Sequence, residues 1–113
     1  MTKSKNDRKS VDEFFKSLSS FENSLFDIEY TNQFKKDVKL CYKRNLDLHL
    51  LENVIKLLAK NGTLPSKYKP HPFPNRGVME CHILPDWLLI WEQRDDTMFL
   101  ILLESGTHSD LFG

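Results

Sequence analysis

Three of the four histidines in this sequence stand where a hydrophobic core has little use for them. His71 lies in a proline-rich segment, His82 lies near the end of an apolar segment, and His108 stands close to the end of the chain. Asp86 follows His82 in a predicted turn, and strand alternation puts Glu80 on the same side of its strand as His82. Imidazole titrates near neutral pH, so two such groups can serve as base and acid in one reaction. The sequence therefore predicts a proton-transfer site built from histidines and carboxylates.

Each of these residues also has an ordinary structural interpretation. A single histidine in a loop is usually solvated, His49 is expected to be a plain surface histidine on a helix, and Asp86 after Pro85 suits a turn. Trp87 is more typical of a core. Three histidines and an aspartate are also suitable zinc ligands, but their spacing matches no established zinc pattern. We therefore expect no metal and no other cofactor.

The C-terminal half contains the strands that must position these groups. Apolar segments at 78–83, 87–93 and 98–104 are separated by short polar breaks, which favours an antiparallel meander. In a meander, the ends of the first and third strands lie at the same edge of the sheet. His82 and His108 are therefore predicted to converge.

The N-terminal half has the spacing of helices. Apolar residues predict helices over 11–21, 32–44 and 47–62, and alternation predicts a short strand over 26–30. Ser10 is a candidate N-cap for the first helix, which is amphipathic.

The order of these elements indicates the fold class. We predict an α+β domain of order β-α-α-β-β-β, in which a helical pair packs on one face of a mostly antiparallel four-stranded sheet. The N-terminal amphipathic helix is added to that unit. The connector 63–77 is predicted to be an irregular loop because its prolines restrict the backbone. A chain of 113 residues is long enough for one domain.

Charge and cysteine content narrow the class of protein. The formal net charge is zero, so composition alone gives no signal for nucleic acid. Cys41 and Cys81 lack metal-binding spacing and are predicted to be buried free thiols in a reducing compartment. The N-terminus lacks the apolar core of a secretory signal, and no apolar run is long enough to span a bilayer. We therefore expect a cytosolic protein without a membrane partner.

Basic side chains nevertheless cluster on one short segment, the predicted helix over 32–44. Lysines that cannot all be paired locally are typical of a surface that meets a nucleic acid backbone. A plain solvated face is the alternative interpretation. The residues expected to contact RNA or the ribosome are Lys35, Lys36, Lys39 and Lys43.

Three motifs in order resemble one known family. They are "HP" at 71–72, "ECHILPDWLLIW" at 80–91 and "SGTHSDLF" at 105–112. Together they resemble the YafQ branch of the RelE/ParE superfamily of toxin–antitoxin toxins. The resemblance covers about residues 26–113, so residues 1–25 are predicted to be an N-terminal extension and residues 26–113 the toxin domain.

The resemblance implies a ribosome-dependent mRNA endonuclease that works without metal and pairs with a cognate antitoxin. In such an enzyme the ribose 2′-OH attacks the adjacent phosphate, one group removes the hydroxyl proton, and another protonates the leaving 5′ oxygen. The resemblance assigns proton transfer and substrate positioning to His71, His82, Asp86 and His108. It assigns supporting roles to Trp87 and Phe112, and Glu80 and Arg76 are further candidates for supporting or positioning the substrate. We expect His108 to be the general acid and Asp86 or His71 to be the base.

The chain departs from the family pattern at one position. The family usually has an arginine immediately before the Glu-Cys-His, and this chain has Met79. Arg76, nearby in the connector, is the candidate to replace that cation. Two alternatives therefore stay open, a toxin-fold binding module with weak or lost catalysis and a gyrase inhibitor of the ParE type.

Overall fold

A computed structural model describes residues 8–74 and 77–113 of the chain. Its elements, in chain order, are α1 (Val11–Leu18), β1 (Asp27–Tyr30), α2 (Asn32–Lys43), α3 (Leu48–Asn61), a 3₁₀ turn (Ser66–Tyr68), β2 (His71–Phe73), β3 (Val78–Leu84), β4 (Trp87–Arg94), β5 (Phe99–Thr107) and α4 (His108–Phe112). The strands form one sheet in the order β1-β5-β4-β3-β2. β1 runs parallel to β5, and the other neighbouring pairs are antiparallel.

The predicted α+β class is confirmed, but the predicted number of strands is wrong. The connector 63–77 contains β2, which pairs with β3 in the register His71↔Glu80 and Phe73↔Val78. The proline between them has no N–H to donate, and an edge strand tolerates this loss because one of its sides is unpaired in any case. In the described part of the chain the sheet therefore has five strands, and β2, the strand that was not predicted, carries His71 at the edge of the sheet. The short helix α4 was not predicted either.

The two long helices begin and end at capping residues. At the start of α2, Thr31 Oγ1 accepts a hydrogen bond from the Phe34 N–H at 3.0 Å, and at the start of α3, Asp47 Oδ1 accepts one from the His49 N–H at 2.9 Å. α3 ends at Gly62, whose φ of 72° lies in the left-handed region that glycine adopts without strain. The predicted limits of α3 are thus confirmed.

The two faces of the sheet differ. One face, which we call the helix face, contributes apolar side chains to the core shared with the helices: Cys81, Ile83, Trp87, Leu89, Trp91, Leu100 and Leu102. Strand alternation turns the intervening residues to the other side. This second face, which we call the histidine face, carries His71 and Phe73 of β2 and Glu80 and His82 of β3. The residues that could do chemistry therefore lie on the side of the sheet away from the helices, where Leu88 and Ile90 are also buried.

α1 belongs to the same core. Ser10 and Glu13 form a reciprocal capping box at its start, with hydrogen bonds of 3.1 and 3.2 Å. Phe14 is fully buried and Leu18 is 5% exposed in the cluster that α2 and α3 also line. The apolar stripe of this amphipathic helix is thus buried against the rest of the chain.

Among the described residues, no helix has the length and the apolar character needed to cross a membrane.

Candidate active site

His71 is held at both of its ring nitrogens. Its Nδ1 lies 2.7 Å from the carbonyl oxygen of Lys69, and its Nε2 lies 2.9 Å from Glu80 Oε1. A carbonyl oxygen can only accept hydrogen bonds, so Nδ1 is placed to donate to Lys69, while Nε2 faces the carboxyl group of Glu80. Glu80 itself is only 9% exposed, so the contact between the two side chains lies at the margin of the buried region.

His82 lies beside this pair. Its ring centroid is 6.2 Å from that of His71, and the two planes are tilted by 30°. Its Nδ1 lies 3.2 Å from the carbonyl oxygen of Pro85, which fixes that nitrogen as the donor. In the neutral ring, Nε2 then carries the lone pair. His82 is therefore arranged to accept a proton or a hydrogen bond through Nε2.

Asp86 contacts the main chain of His108 and positions its helix. Asp86 Oδ1 accepts a hydrogen bond from the backbone N–H of His108 at 3.3 Å, which links the β3–β4 turn to the start of α4. Thr107 caps the same helix by accepting from the Asp110 N–H at 3.2 Å. Asp86 thus acts on His108 through the backbone.

Phe112 links α4 to β2. Its ring lies 4.9 Å from the His108 ring and stacks on Phe73 at 5.8 Å. Phe73 shares the histidine face of β2 with His71. Leu111 packs over Gly106, where an added Cβ would lie 3.4 Å from Leu111 Cδ2. His108 is thereby linked through Phe112 to Phe73 of β2, two residues along the strand from His71.

A buried polar network fixes the end of β5, which leads into α4. Ser105 is 1% exposed, and its N–H donates to Asp37 Oδ2 at 3.0 Å. Trp87 Nε1 donates to Ser105 Oγ at 3.1 Å, and that hydroxyl donates to the Leu88 carbonyl at 2.9 Å. Trp87 is only 1% exposed, and its side-chain hydrogen bond ties it to the end of β5 through Ser105.

Asp37 was not predicted from the sequence, although a signal was present. It lies on the apolar stripe of α2 together with Phe34, Val38 and Cys41, where a solvated carboxylate has no place. Burial raises the pKa of Asp37 above its ordinary value of 3.8, and the hydrogen bonds from Gln33 and Ser105 oppose the rise. A carboxylate in such a stripe indicates a specific buried partner, which here is the main chain of Ser105.

A second missed contact ties α4 to the end of α2. Arg44 donates to both carboxylate oxygens of Asp110, at 2.7 and 3.2 Å. The same contact lowers the pKa of Asp110. Bidentate geometry of this kind fixes orientation as well as distance. The ion pair therefore sets the direction in which α4 leaves the sheet.

Several predicted residues do not join this cluster. The side chains of Lys35, Lys36, Lys39 and Lys43 are exposed on α2, whose buried side faces the core at the helix face. Arg76 lies outside the described residues. Met79 pairs with Trp91 and packs against the core, so its side chain lies on the helix face. The substitution of this family arginine therefore removes no group from the histidine face.

Two observations concern metal and thiol chemistry. Within residues 8–74 and 77–113, no group of three or more histidine, cysteine or acidic side chains is arranged to hold a metal ion. Cys41 and Cys81 are free and buried, and burial raises the pKa of each thiol to about 12. Neither cysteine is therefore a thiolate near neutral pH.

Several solved structures that share this fold are bacterial toxins. YafQ in the crystal structure of the DinJ–YafQ toxin–antitoxin complex from Escherichia coli is 41% identical, with a TM-score of 0.72, over 79% of this chain and 99% of that chain. A metal-bound toxin from Helicobacter pylori is 39% identical, with a TM-score of 0.68, over 75% and 97% of the two chains. The fold therefore puts this chain in the class of small α+β bacterial toxins.

The particular family follows from the sequence comparisons. The family model for the YafQ bacterial toxin of type II toxin–antitoxin systems matches residues 26–113. The mRNA interferase toxin YafQ of Escherichia coli strain B / BL21-DE3 is 43% identical over 90 residues, which are 77% of this chain and 96% of that protein. The chain belongs to the YafQ family of type II toxins, and the resemblance drawn from its three motifs is confirmed.

Proposed function

We propose that this chain is an mRNA interferase, a ribosome-dependent endoribonuclease that acts in the cytoplasm and is held inactive by a cognate antitoxin. The observation that carries the proposal is the group of His71, Glu80 and His82 on one sheet face, with His108 brought to it by α4. The Escherichia coli relative is named mRNA interferase toxin YafQ, and the crystal structure compared above contains YafQ in complex with the antitoxin DinJ. Residues 26–113 form the toxin domain in this proposal, and residues 1–25 are an extension that adds α1 to its core.

The reaction we propose is cleavage by the RNA's own 2′-OH. His82 Nε2 takes the proton of the 2′-OH as the oxygen bonds to phosphorus. His108 donates a proton to the 5′ oxygen as the phosphorus–oxygen bond breaks, which leaves a 2′,3′-cyclic phosphate and a 5′-OH. We assign the electrostatic stabilisation of the phosphate to His71, which Glu80 and the Lys69 carbonyl oxygen hold beside His82.

In this assignment the general base is His82, whereas Asp86 or His71 was expected from the sequence. Both ring nitrogens of His71 are engaged, by Lys69 and Glu80, and Asp86 is engaged by the His108 backbone. Asp86 is therefore proposed as a positioning residue. The four lysines of α2 remain proposed contacts to the ribosome, on a surface separate from the histidine face.

The test is single-turnover cleavage of mRNA on programmed ribosomes. His108→Ala is expected to slow cleavage by about 10²- to 10⁴-fold, the usual contribution of one proton-transfer group, with an unchanged thermal melt. Ser109→Ala, a change at the neighbouring exposed position, is the matched control and should cleave normally. Cleavage of His108→Ala at the wild-type rate would show that His108 is structural.

Two further outcomes separate the alternatives. Toxin that has been treated with EDTA, and then freed of the chelator before it is mixed with the ribosomes and their Mg²⁺, should cleave at an unchanged rate, because the proposed proton transfers need no metal. Loss of activity after this treatment that zinc restores would overturn the metal-free mechanism. A wild-type protein that binds ribosomes without cutting mRNA would instead be the binding module considered above.

A further inference from the structure

A cleft of 230 Å³ opens beside His82, between the 3₁₀ turn and the end of β3. Its lining consists of Lys67, Lys69, His82, Ile83, Leu84 and Pro85. Leu84 is 43% exposed, so the apolar part of this lining is accessible from solvent. The cleft thus joins a candidate catalytic imidazole to two cations and an apolar wall.

The two lysines of the cleft lack carboxylate partners. Within the described residues, neither Lys67 nor Lys69 forms an ion pair. Lys67 Nζ lies 5.0 Å from the centre of the Tyr68 ring, which keeps the ammonium group near the 3₁₀ turn. Two cations without local anions beside a phosphate-cleaving site are suited to a ligand that brings negative charge.

The backbone of Lys69 connects the cleft to the catalytic cluster. Lys69 has φ 50° and ψ 51°, the left-handed conformation that residues other than glycine rarely adopt. Its N–H donates to Ser66 at 2.9 Å, and its carbonyl oxygen receives the hydrogen bond from His71 Nδ1. Strained backbone of this kind persists where the surroundings hold it, often at functional sites. Here the strained residue both orients His71 and lines the cleft.

We infer that this cleft binds the mRNA phosphodiester next to the one that is cleaved. Lys67 and Lys69 contact its charged oxygens, and Leu84 with Pro85 supports the adjoining nucleoside. The inference rests on the proposed function and adds to it a substrate subsite on the histidine side of the molecule, separate from the lysines of α2. The subsite acts in binding and leaves proton transfer to the histidines.

The test compares two pairs of lysines in the full-length protein. Lys67→Gln with Lys69→Asn removes both charges, and asparagine suits the positive φ at position 69. Lys56→Gln with Lys60→Gln removes two exposed charges from α3 and is the matched control. Lys67→Arg with Lys69→Arg keeps the charges and should retain binding.

Single-turnover cleavage on ribosomes, run over a range of protein concentrations, separates binding from chemistry. The Lys67/Lys69 neutral pair should raise the half-saturating concentration about tenfold, with a maximal rate close to that of wild type. Each lost phosphate contact should also reduce the slope of log affinity against log salt by about 0.7. An effect no larger than that of the control pair would overturn the inference.

A modified mRNA identifies the source of the phosphate. One uncharged methylphosphonate linkage is placed next to the cut, on either side in turn. At one of the two positions it should weaken mRNA binding by the wild type, and it should not weaken binding by the Lys67→Gln/Lys69→Asn variant further. If the methylphosphonate weakens binding by neither protein, the lysines contact ribosomal RNA and the mRNA subsite is wrong. Failure of the wild type to cleave any mRNA would overturn the proposed function and this inference with it.

Discussion

The two terminal helices are both short, but they are held by different kinds of contact. α1, of eight residues, buries Phe14 completely and Leu18 almost completely. α4, of five residues, has no fully buried residue, and most of its described contacts are directional: an ion pair, a capping bond, the hydrogen bond to Asp86 and an aromatic stack, with Leu111 packed over Gly106. α1 lies outside the matched family region, whereas α4 carries His108 within it.

The difference separates stability from positioning. Burial of large apolar side chains contributes most of the free energy of folding but specifies orientation weakly. Directional polar contacts contribute less free energy and fix where a side chain points. α1 should therefore matter for the stability of the protein, and α4 should matter for its cleavage rate.

The largest expected effect is on stability, at Phe14. Phe14→Ala empties a fully buried position between α1 and the core and should lower the free energy of unfolding by about 3–5 kcal/mol. Urea unfolding followed by circular dichroism measures this value. Leu25→Ala is the matched control, because Leu25 is in the same extension and is 59% exposed. Equal stability of the two variants would mean that α1 is not docked in solution.

The same contrast explains how much the sequence could predict. A helix fixed by apolar burial leaves a periodic stripe, so α1, α2 and α3 were predicted, although α1 ends at Leu18 and is shorter than the predicted 11–21. α4 depends on contacts such as that of Arg44 with Asp110, which are 66 residues apart in the chain and follow no local period. β2 was not predicted because proline usually interrupts a strand. Pro72 is tolerated only because β2 lies at the edge of the sheet.

The site was predictable in its residue types but not in its connections. Strand alternation correctly put Glu80 and His82 on one face, and the register of β2 then brought His71 to them. The orientation of the His71 and His82 rings depends on hydrogen bonds to the carbonyl oxygens of Lys69 and Pro85. A pattern of side chains in the sequence cannot predict such contacts with the main chain. The assignment of roles to these residues stays a prediction.

The second prediction concerns Asp37, which holds the strand leading into α4. Its raised pKa means that the folded state binds the proton more tightly than the unfolded chain does. The stability associated with protonated Asp37 is therefore present below the ordinary value of 3.8 and is lost as pH rises through the raised pKa. Asp37→Asn removes this dependence, so wild type should lose stability relative to the variant as pH increases.

Urea unfolding from about pH 4 to about pH 7 measures the difference. Glu104 and Asp110, whose charges also raise the pKa of Asp37, remain in both proteins and largely cancel in the comparison. Asp27→Asn, at an exposed carboxylate on β1, is the control and should run parallel to wild type. A parallel profile for Asp37→Asn as well would show that Asp37 is not desolvated in solution.

The smallest expected effect is at Phe112, and it is the closest test of α4 as a positioning element. Phe112 is 41% exposed, so Phe112→Ala should cost only about 1 kcal/mol of stability, within the range for one aromatic pair. Cleavage should slow by about tenfold, less than for His108→Ala, because the imidazole remains but is held less firmly. Phe73→Ala removes the other ring of the stack and should have a similar effect. Since the two rings act through one contact, the double variant should be little slower than either single one. If the rate loss of the double variant instead equals the product of the two single losses, Phe112 positions His108 without Phe73, and β2 does not support α4.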